Sequence, residues 1–308
     1  MSGGAQSYAQ VASLPVLTLS NGVRLPAIGL VVFQSSPQDT VSAVRAALDA
    51  GYRHIDTAAA YGNERQVGQA LRESGLPREE VVVETKVWAS DYGHDETLHA
   101  FEKATGKLGL DTVDILILHQ PIPLHFERTI AAYQALERLY ADGKVRAIGV
   151  SNFSETHLTR LMEATEVVPA LNQVELHPYF TQVGLRRFHE EHSILTQAWS
   201  PVGGITFYPG WGDENCRSVM DDPVLQAIAS QTGTSAAQMV LRWHLQQGRS
   251  AIPKSVNPQR IAASIDILDF ELSAEQVGQI DALDLGVRSG PDPQSTDPDT
   301  MDFTIPEA

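Results

Sequence analysis

Four ionisable residues stand at positions where α/β chains do chemistry. Asp56 closes one short apolar run, Lys86 the next and His119 the one after, while Tyr61 follows Asp56 by five residues in the connecting loop. Period-two alternation pairs His54 with Asp56, Glu84 with Lys86 and Ile117 with His119, so each pair shares an inward face. Together they make an acid–base device. A tyrosine phenol, with a pKa of about 10, exchanges protons poorly at neutral pH. A lysine ammonium beside it favours phenolate and is expected to lower that value, with Asp56 holding the ammonium in place. A neutral histidine can orient a substrate carbonyl by a hydrogen bond. The set suits protonation of a carbonyl oxygen as hydride reaches carbon, and it lacks the nucleophile–base pair of a hydrolase.

The elements that must position these residues alternate along the chain. Strands are expected at Ala27–Val32, Tyr52–Asp56, Val81–Lys86, Val113–His119, Ala147–Ser151, Ala170–Val174, Ile194–Ala198 and Ser250–Pro253. Amphipathic stretches fall at Val41–Ala50, Arg65–Ser74, Glu96–Leu108, Thr129–Asp142, Glu155–Ala164, Val183–Glu191 and Pro223–Gln231. Gly51 and Gly143 mark helix stops. Eight βα units predict an α/β fold, a (β/α)8 TIM barrel, whose active groups gather at the C-terminal ends of the strands. Asn21-Gly22 inside Val16–Leu25 is a hairpin signal and is expected to cap one end of the barrel. The stretch from Gly203 to Met220 is a long loop on the C-terminal face, of the kind that carries function. We expect one domain over residues 1–308, with a core of about 14–285 and a loop and tail, 286–308, extended and mobile at its end.

Composition narrows the partners. The 308 residues carry 22 Lys+Arg against 38 Asp+Glu, a net charge of −16. That excess argues against nucleic acid and anionic membranes, which need a basic patch, but leaves room for one small anion. Cys216 is a single cysteine, so no internal disulfide forms, and a reducing compartment is expected. The first twenty residues lack the basic start and apolar stretch of a secretory leader, and a cytoplasmic location is expected. There is no GxGxxG and no Walker loop. His189-Glu190-Glu191-His192 spaces its histidines by three rather than four and is expected to be a solvated helix end, so no metal is expected.

The segments GYRHIDTAAAYGNE (51–64), ETKVW (84–88), LILHQP (116–121), GVSNF (149–153), NQVELHPY (172–179), AWSPVG (198–203) and IPKS (252–255) resemble those of the aldo-keto reductases, in family order over about 14–285. Within that family the chain resembles the bacterial diketogluconate-reductase branch. The resemblance implies NADPH-dependent (NADPH/NADP+) reduction of aldehydes or ketones by a monomer. In that reading Tyr61 is the proton donor, Lys86 and Asp56 tune it, and His119 positions the substrate. It further implies that Ser151, Asn152 and Gln173 hold the nicotinamide carboxamide and that Trp199 stacks on its ring, in place of a usual tyrosine. Ser200, Pro201, Val202 and Gly203 would follow the pyrophosphate, and Val32, Asp56 and Val256 would also touch the cofactor. Lys254, Ser255 and Arg260 would hold the adenosine 2′-phosphate, where two cations and a hydroxyl suit a dianion and favour NADPH over NADH.

Three further departures from the family pattern matter. Val31 stands where glycine is common, adding bulk beside the nicotinamide. Ala263 and Ser264 replace an acidic and an amide residue toward adenine, with Ser264 still counted among the cofactor contacts. Gln120 replaces a tryptophan and opens one pocket wall. Phe33, Trp88, Pro121–His125, Phe207, Tyr208, Trp211, Met301 and Phe303 are expected to line an aromatic pocket for apolar aldehydes and ketones; Phe33, Trp88, His119 and Trp211 are the leading substrate contacts. Two alternatives remain open at this stage: an aldolase using Lys86 as a Schiff-base nucleophile, and an NADPH-binding redox-sensing subunit with little turnover.

Overall fold

A computed structural model describes residues 14–203, 218–297 and 304–307. Phe207, Tyr208, Trp211, Cys216, Met301 and Phe303 lie outside the described residues.

The eight expected strands form one parallel sheet in sequential order: β3 (Leu30–Val31), β4 (His54–Asp56), β5 (Val82–Val87), β6 (Val113–Leu118), β7 (Val145–Ser151), β8 (Leu171–Glu175), β9 (Leu195–Trp199) and β10 (Ser250–Ile252). The sheet closes because β3 meets β10 through the parallel bridges Ile28↔Ala251 and Val31↔Lys254. The backbone N–H of Gly29 donates to Ala251 and that of Val31 to Pro253 across this seam. The result is the predicted (β/α)8 barrel. Helices α1 (Pro37–Asp49), α2 (Glu64–Ser74), α3 (His94–Leu108), α4 (Phe126–Ala141), α5 (Glu155–Ala164), α6 (Val183–Glu191) and α7 (Pro223–Thr232) match the expected stretches. Three more follow: α8 (Ala236–Gln246), α9 (Pro258–Ile265) and α10 (Ala274–Asp281). Their start signals are caps rather than long apolar periods: Ser235, Asn257 and Ser273 each accept from a backbone N–H of the first turn.

The hairpin of β1 (Val16–Thr18) and β2 (Arg24–Pro26) plugs one end. Its Leu19 and Leu25 pack with Val82, Ile115, Ile117, Ala147, Ala170 and Leu171, near the starts of the strands. Each buried leucine stabilises that floor by ~1.5–3 kcal/mol. Above the floor the interior turns polar: His54, Asp56, Glu84, Lys86, Gln173 and Gln197 are all buried. Outward-facing Ile55, Val83 and Leu116 pack instead with helix residues such as Val44, Val67 and Leu136. The alternation read from the sequence is therefore the true one. Gly29 is required for this interior, since a Cβ there would lie 2.4 Å from His54 Nδ1.

The described parts of the C-terminal segment are anchored rather than free. Ser289 donates to the buried Glu175 carboxylate from its N–H (2.8 Å) and hydroxyl (2.7 Å), and Gly290 N–H donates at 3.1 Å. Further along, Lys107 donates to the Pro306 carbonyl at 2.6 Å, and Lys103 to that of Ile305 at 3.4 Å. His189 also departs from expectation. It is buried and hydrogen-bonded to Asn172 (3.0 Å) and Thr196 (2.8 Å), while His192 is exposed and stacks on Phe188. Among the described residues no group of His, Cys, Asp or Glu could hold a metal.

Candidate active site

The four residues expected to carry the chemistry converge at one rim. Lys86 Nζ donates to both oxygens of Asp56, at 2.5 and 2.6 Å, and to the Thr57 carbonyl at 3.0 Å. That uses all three ammonium hydrogens. The loop that brings Tyr61 to this pair is pinned by Asn63, which donates to the Val32 carbonyl at 2.8 Å and accepts from the Thr57 hydroxyl at 2.8 Å. A 3₁₀ turn over Ala59–Tyr61 ends at Gly62 with φ +67°, a left-handed conformation that favours glycine. Tyr61 thus lies with its ring 5.1 Å from Lys86 Nζ, edge-on to His119 at 5.7 Å and to Phe33 at 5.1 Å. Trp88 also meets His119 edge-on, at 5.0 Å.

Burial dominates the electrostatics. Desolvation pushes the Tyr61 phenol up to about 12, although Lys86 pulls the other way. The expected lowering by Lys86 is real as a direction but loses to the cost of creating an anion in this pocket. Desolvation likewise pushes Asp56 up, and the Lys86 ammonium is what opposes it. Lys86 itself ends raised: burial disfavours its charge, but Asp56, Tyr61 and Glu84 more than compensate. His119 is held well below the usual histidine range by burial and then by Lys86. Its Nδ1 is buried with no hydrogen-bond partner among the described residues. The site at neutral pH is a protonated phenol, an ammonium–carboxylate pair and a neutral imidazole.

A second group of predicted residues adjoins the first. Asn152, at φ +67°, donates to the His119 carbonyl (3.1 Å) and the Ser151 hydroxyl (3.1 Å) and accepts from Trp199 Nε1 at 2.9 Å. The Ser151 hydroxyl donates to the Gln173 carbonyl at 2.8 Å. Trp199 therefore orients Asn152 as well as offering an indole face, a role its spacing does not reveal. Ser200 (φ +46°) opens a turn that the Gly203 N–H closes onto the Ser200 carbonyl at 2.8 Å, with Pro201 and Val202 between them. Val32 is buried beside β4, its N–H donating to the Asp56 carbonyl.

The third group lies at the start of α9. Lys254, Val256 and Arg260 are exposed and Ser255 is half-buried, with Asn257 capping the helix through the N–H groups of Gln259 and Arg260. Ser264 lies further along α9, near the buried Tyr52 hydroxyl that donates to the Ile261 carbonyl. In a chain with 16 excess acids, neither Lys254 nor Arg260 makes an ion pair among the described residues. Two unpaired cations and a hydroxyl around a helix N-terminus fit a phosphate. Buried amides at Asn152 and Gln173 and the half-buried Trp199 indole, beside Tyr61, fit a flat polar ring. The donor set is thus the one a 2′-phosphorylated dinucleotide needs. Sequence reasoning placed these groups, but passed over Asn63 and the buried Gln197; the polar letters of YGNE and TQAW were the available signal.

Residues 27–285 match the family model described as the aldo/keto reductase family. The chain is 49% identical over 285 residues to morphine 6-dehydrogenase of Pseudomonas putida, covering 92% of this chain and 96% of that protein. It is 44% identical over 276 residues to glyoxal reductase of Bacillus subtilis, covering 89% and 95%. The crystal structure of a Bombyx mori aldo-keto reductase in complex with NADP aligns with TM-score 0.82 at 34% identity, covering 90% of this chain and 95% of that one.

Proposed function

The chain belongs to the aldo/keto reductase family, and from that premise we propose that Tyr61 delivers the proton in its NADPH-dependent reduction of aldehydes and ketones. The enzyme is an NADP-dependent oxidoreductase acting on carbonyl groups of small molecules. The observation that carries the assignment is the Asp56–Lys86–Tyr61–His119 cluster, with a protonated phenol and a neutral imidazole facing each other.

When bound, NADPH supplies hydride to the carbonyl carbon. The chain's part is acid catalysis. The substrate oxygen accepts hydrogen bonds from Tyr61 and His119, whose rings meet edge-to-face at 5.7 Å. Tyr61 gives its proton to that oxygen as negative charge develops there, and the Lys86 ammonium stabilises the phenolate left behind. Asp56 and the Thr57 carbonyl keep Lys86 aimed at the phenol. Solvent then reprotonates Tyr61. Lys254, Ser255 and Arg260 would hold the 2′-phosphate, and Ser151, Asn152, Gln173 and Trp199 the nicotinamide end, with Val32, Ser200, Pro201, Val202, Gly203, Val256 and Ser264 along the way. Phe33 and Trp88 would contact the substrate.

The aldolase reading requires a neutral amine. Lys86 has all three hydrogens committed and a raised pKa, which argues against it. The sensor reading is decided by turnover. We further propose that the enzyme is a single-domain monomer of the cytoplasm, in the diketogluconate-reductase branch. The acid excess supports the absence of polyanion partners, and no helix among the described residues is long and apolar enough to cross a membrane.

The test is loss of NADPH absorbance with a panel of aldehydes and ketones. Tyr61→Phe is expected to lower turnover at least ~10²–10⁴-fold while NADPH binding persists. Unchanged rates would remove Tyr61 as donor, and absence of multiple turnover by the wild type would favour the sensor.

A further inference from the structure

Below the ion pair lies a second buried carboxylate that the acid–base reading does not use. Glu84 is 0% exposed and faces the barrel axis one layer beneath Lys86. Its Oε1 accepts from Gln173 Nε2 at 3.0 Å, and its Oε2 accepts from Gln197 Nε2 at 3.1 Å and contacts His54 Nε2 at 3.0 Å. Gln173 Nε2 also lies 3.1 Å from Asp56 Oδ1 and 2.7 Å from Gln197 Oε1. The nitrogen of Gln173 is therefore surrounded by three acceptor oxygens, two of them carboxylate.

An amide has two orientations that differ by exchange of its N and O, and its surroundings choose between them. With the ends exchanged, the Gln173 carbonyl oxygen would face two carboxylate oxygens and an amide oxygen, with no hydrogen to share. In a dry interior that contact is strongly unfavourable. Gln197 cannot relieve it. Its own nitrogen is committed to Glu84 and, at 3.4 Å, to the Ser250 hydroxyl, so its oxygen must face Gln173. Glu84 thus sets Gln173 twice, once directly and once through Gln197.

We propose that Glu84 is a positioning residue that locks the Gln173 amide with its nitrogen toward the barrel axis and its carbonyl oxygen turned away from it. Gln173 then meets the nicotinamide carboxamide as a hydrogen-bond acceptor and selects for the NH₂ group on that ring. This rests on the cofactor reading above, in which Gln173 holds the nicotinamide end. The direct bond to Asp56 is the one part of the arrangement that survives loss of Glu84, so the lock weakens rather than vanishes without it.

The experiment compares equilibrium binding of NADP⁺ with that of its 3-acetylpyridine analogue, in which methyl replaces the carboxamide NH₂. Binding is read by quenching of intrinsic fluorescence, without turnover. The wild type is expected to prefer NADP⁺ by about tenfold, the effect of leaving a buried acceptor unpaired. Glu84→Gln can donate as well as accept, frees Gln173 to reorient, and is expected to shrink the preference to about twofold. Affinity for 2′,5′-ADP, which lacks the ring, is expected to stay within about twofold and serves as the folding control. If Glu84→Gln fails that control, Gln197→Met is read instead. It removes one acceptor from Gln173 and one donor from Glu84, and is expected to reduce the preference to about threefold. Equal wild-type affinities for the two dinucleotides would overturn the carbonyl-outward orientation. A full preference retained in the folded variant would overturn the role of Glu84. Failure of the wild type to bind NADP⁺ or 2′,5′-ADP would instead strike the cofactor reading itself.

Discussion

Lys86 and the Lys254–Arg260 pair are cations at the two ends of one proposed cleft, and they are built in opposite ways. Lys86 is 1% exposed, donates to both oxygens of Asp56 and to the Thr57 carbonyl, and stands beside the Tyr61 phenol. Lys254 and Arg260 are exposed and unpaired among the described residues. In a low-dielectric interior a charge acts strongly on its neighbours, so Lys86 can stabilise a phenolate a few ångströms away. At the surface, solvent and salt weaken the same charge, so Lys254 and Arg260 can attract a dianion but tune nothing. Tuning a proton requires burial; capturing a phosphate requires access.

Substitutions break this comparison unequally. Lys86→Met is expected to lower kcat at least ~10²-fold and, because it leaves Asp56 buried without its cation, to cost about 3–5 kcal/mol of stability. Steady-state kinetics and a denaturation curve check both, and a variant as active and stable as Arg260→Ala would erase the distinction. Arg260→Ala is expected to weaken NADPH about tenfold and NADH less than twofold, with kcat unchanged. Equal losses for the two cofactors would remove the phosphate pocket. Raising the salt should imitate that variant weakly and leave kcat alone.

The pH profile sharpens the buried half. Tyr61 acts as an acid, so its working form is the phenol, which persists until pH approaches about 12. His119 works neutral and stays so down through mildly acidic pH, because its pKa is lowered. The reductive kcat is therefore expected to be flat from about pH 7 to about pH 9. Below that range it is expected to fall as Asp56, raised by burial to about 6, takes up a proton and loosens its hold on Lys86. A fall centred near pH 8 would mean that Lys86 outweighs burial after all. The smallest effect is expected at the seam between the two regions. Val31 pairs with Asp56 on one side and bridges Lys254 on the other, and Val31→Gly is expected to change kcat or KM by about two- to fivefold. Identical kinetics would show the valine to be neutral.

Much of the site was legible before folding because β-strand alternation has period two. Once Asp56, Lys86 and His119 stand at successive strand ends, parallel pairing puts them on one rim. The hairpin cap was legible from Asn21-Gly22, whereas IPKS with Arg260 pointed to the proposed phosphate end only through the family resemblance. The C-terminal anchors were not, because Glu175 and Ser289 are joined by hydrogen bonds across 114 residues of chain. Nor was the burial of His189, whose partners Asn172 and Thr196 lie on two strands packed against its helix.

By itself, then, the sequence determined which side chains face inward and at which end of the barrel they gather, since local periodicity and glycine or cap residues dictate direction. Only the tertiary structure decided what those side chains do to one another. Whether Lys86 lowers the Tyr61 phenol or burial raises it, and whether Gln173 presents nitrogen or oxygen, depends on how much water closure of the barrel removes and which distant acceptors it brings together. Desolvation and amide orientation are properties of an enclosed volume, which exists only when all eight strands have met.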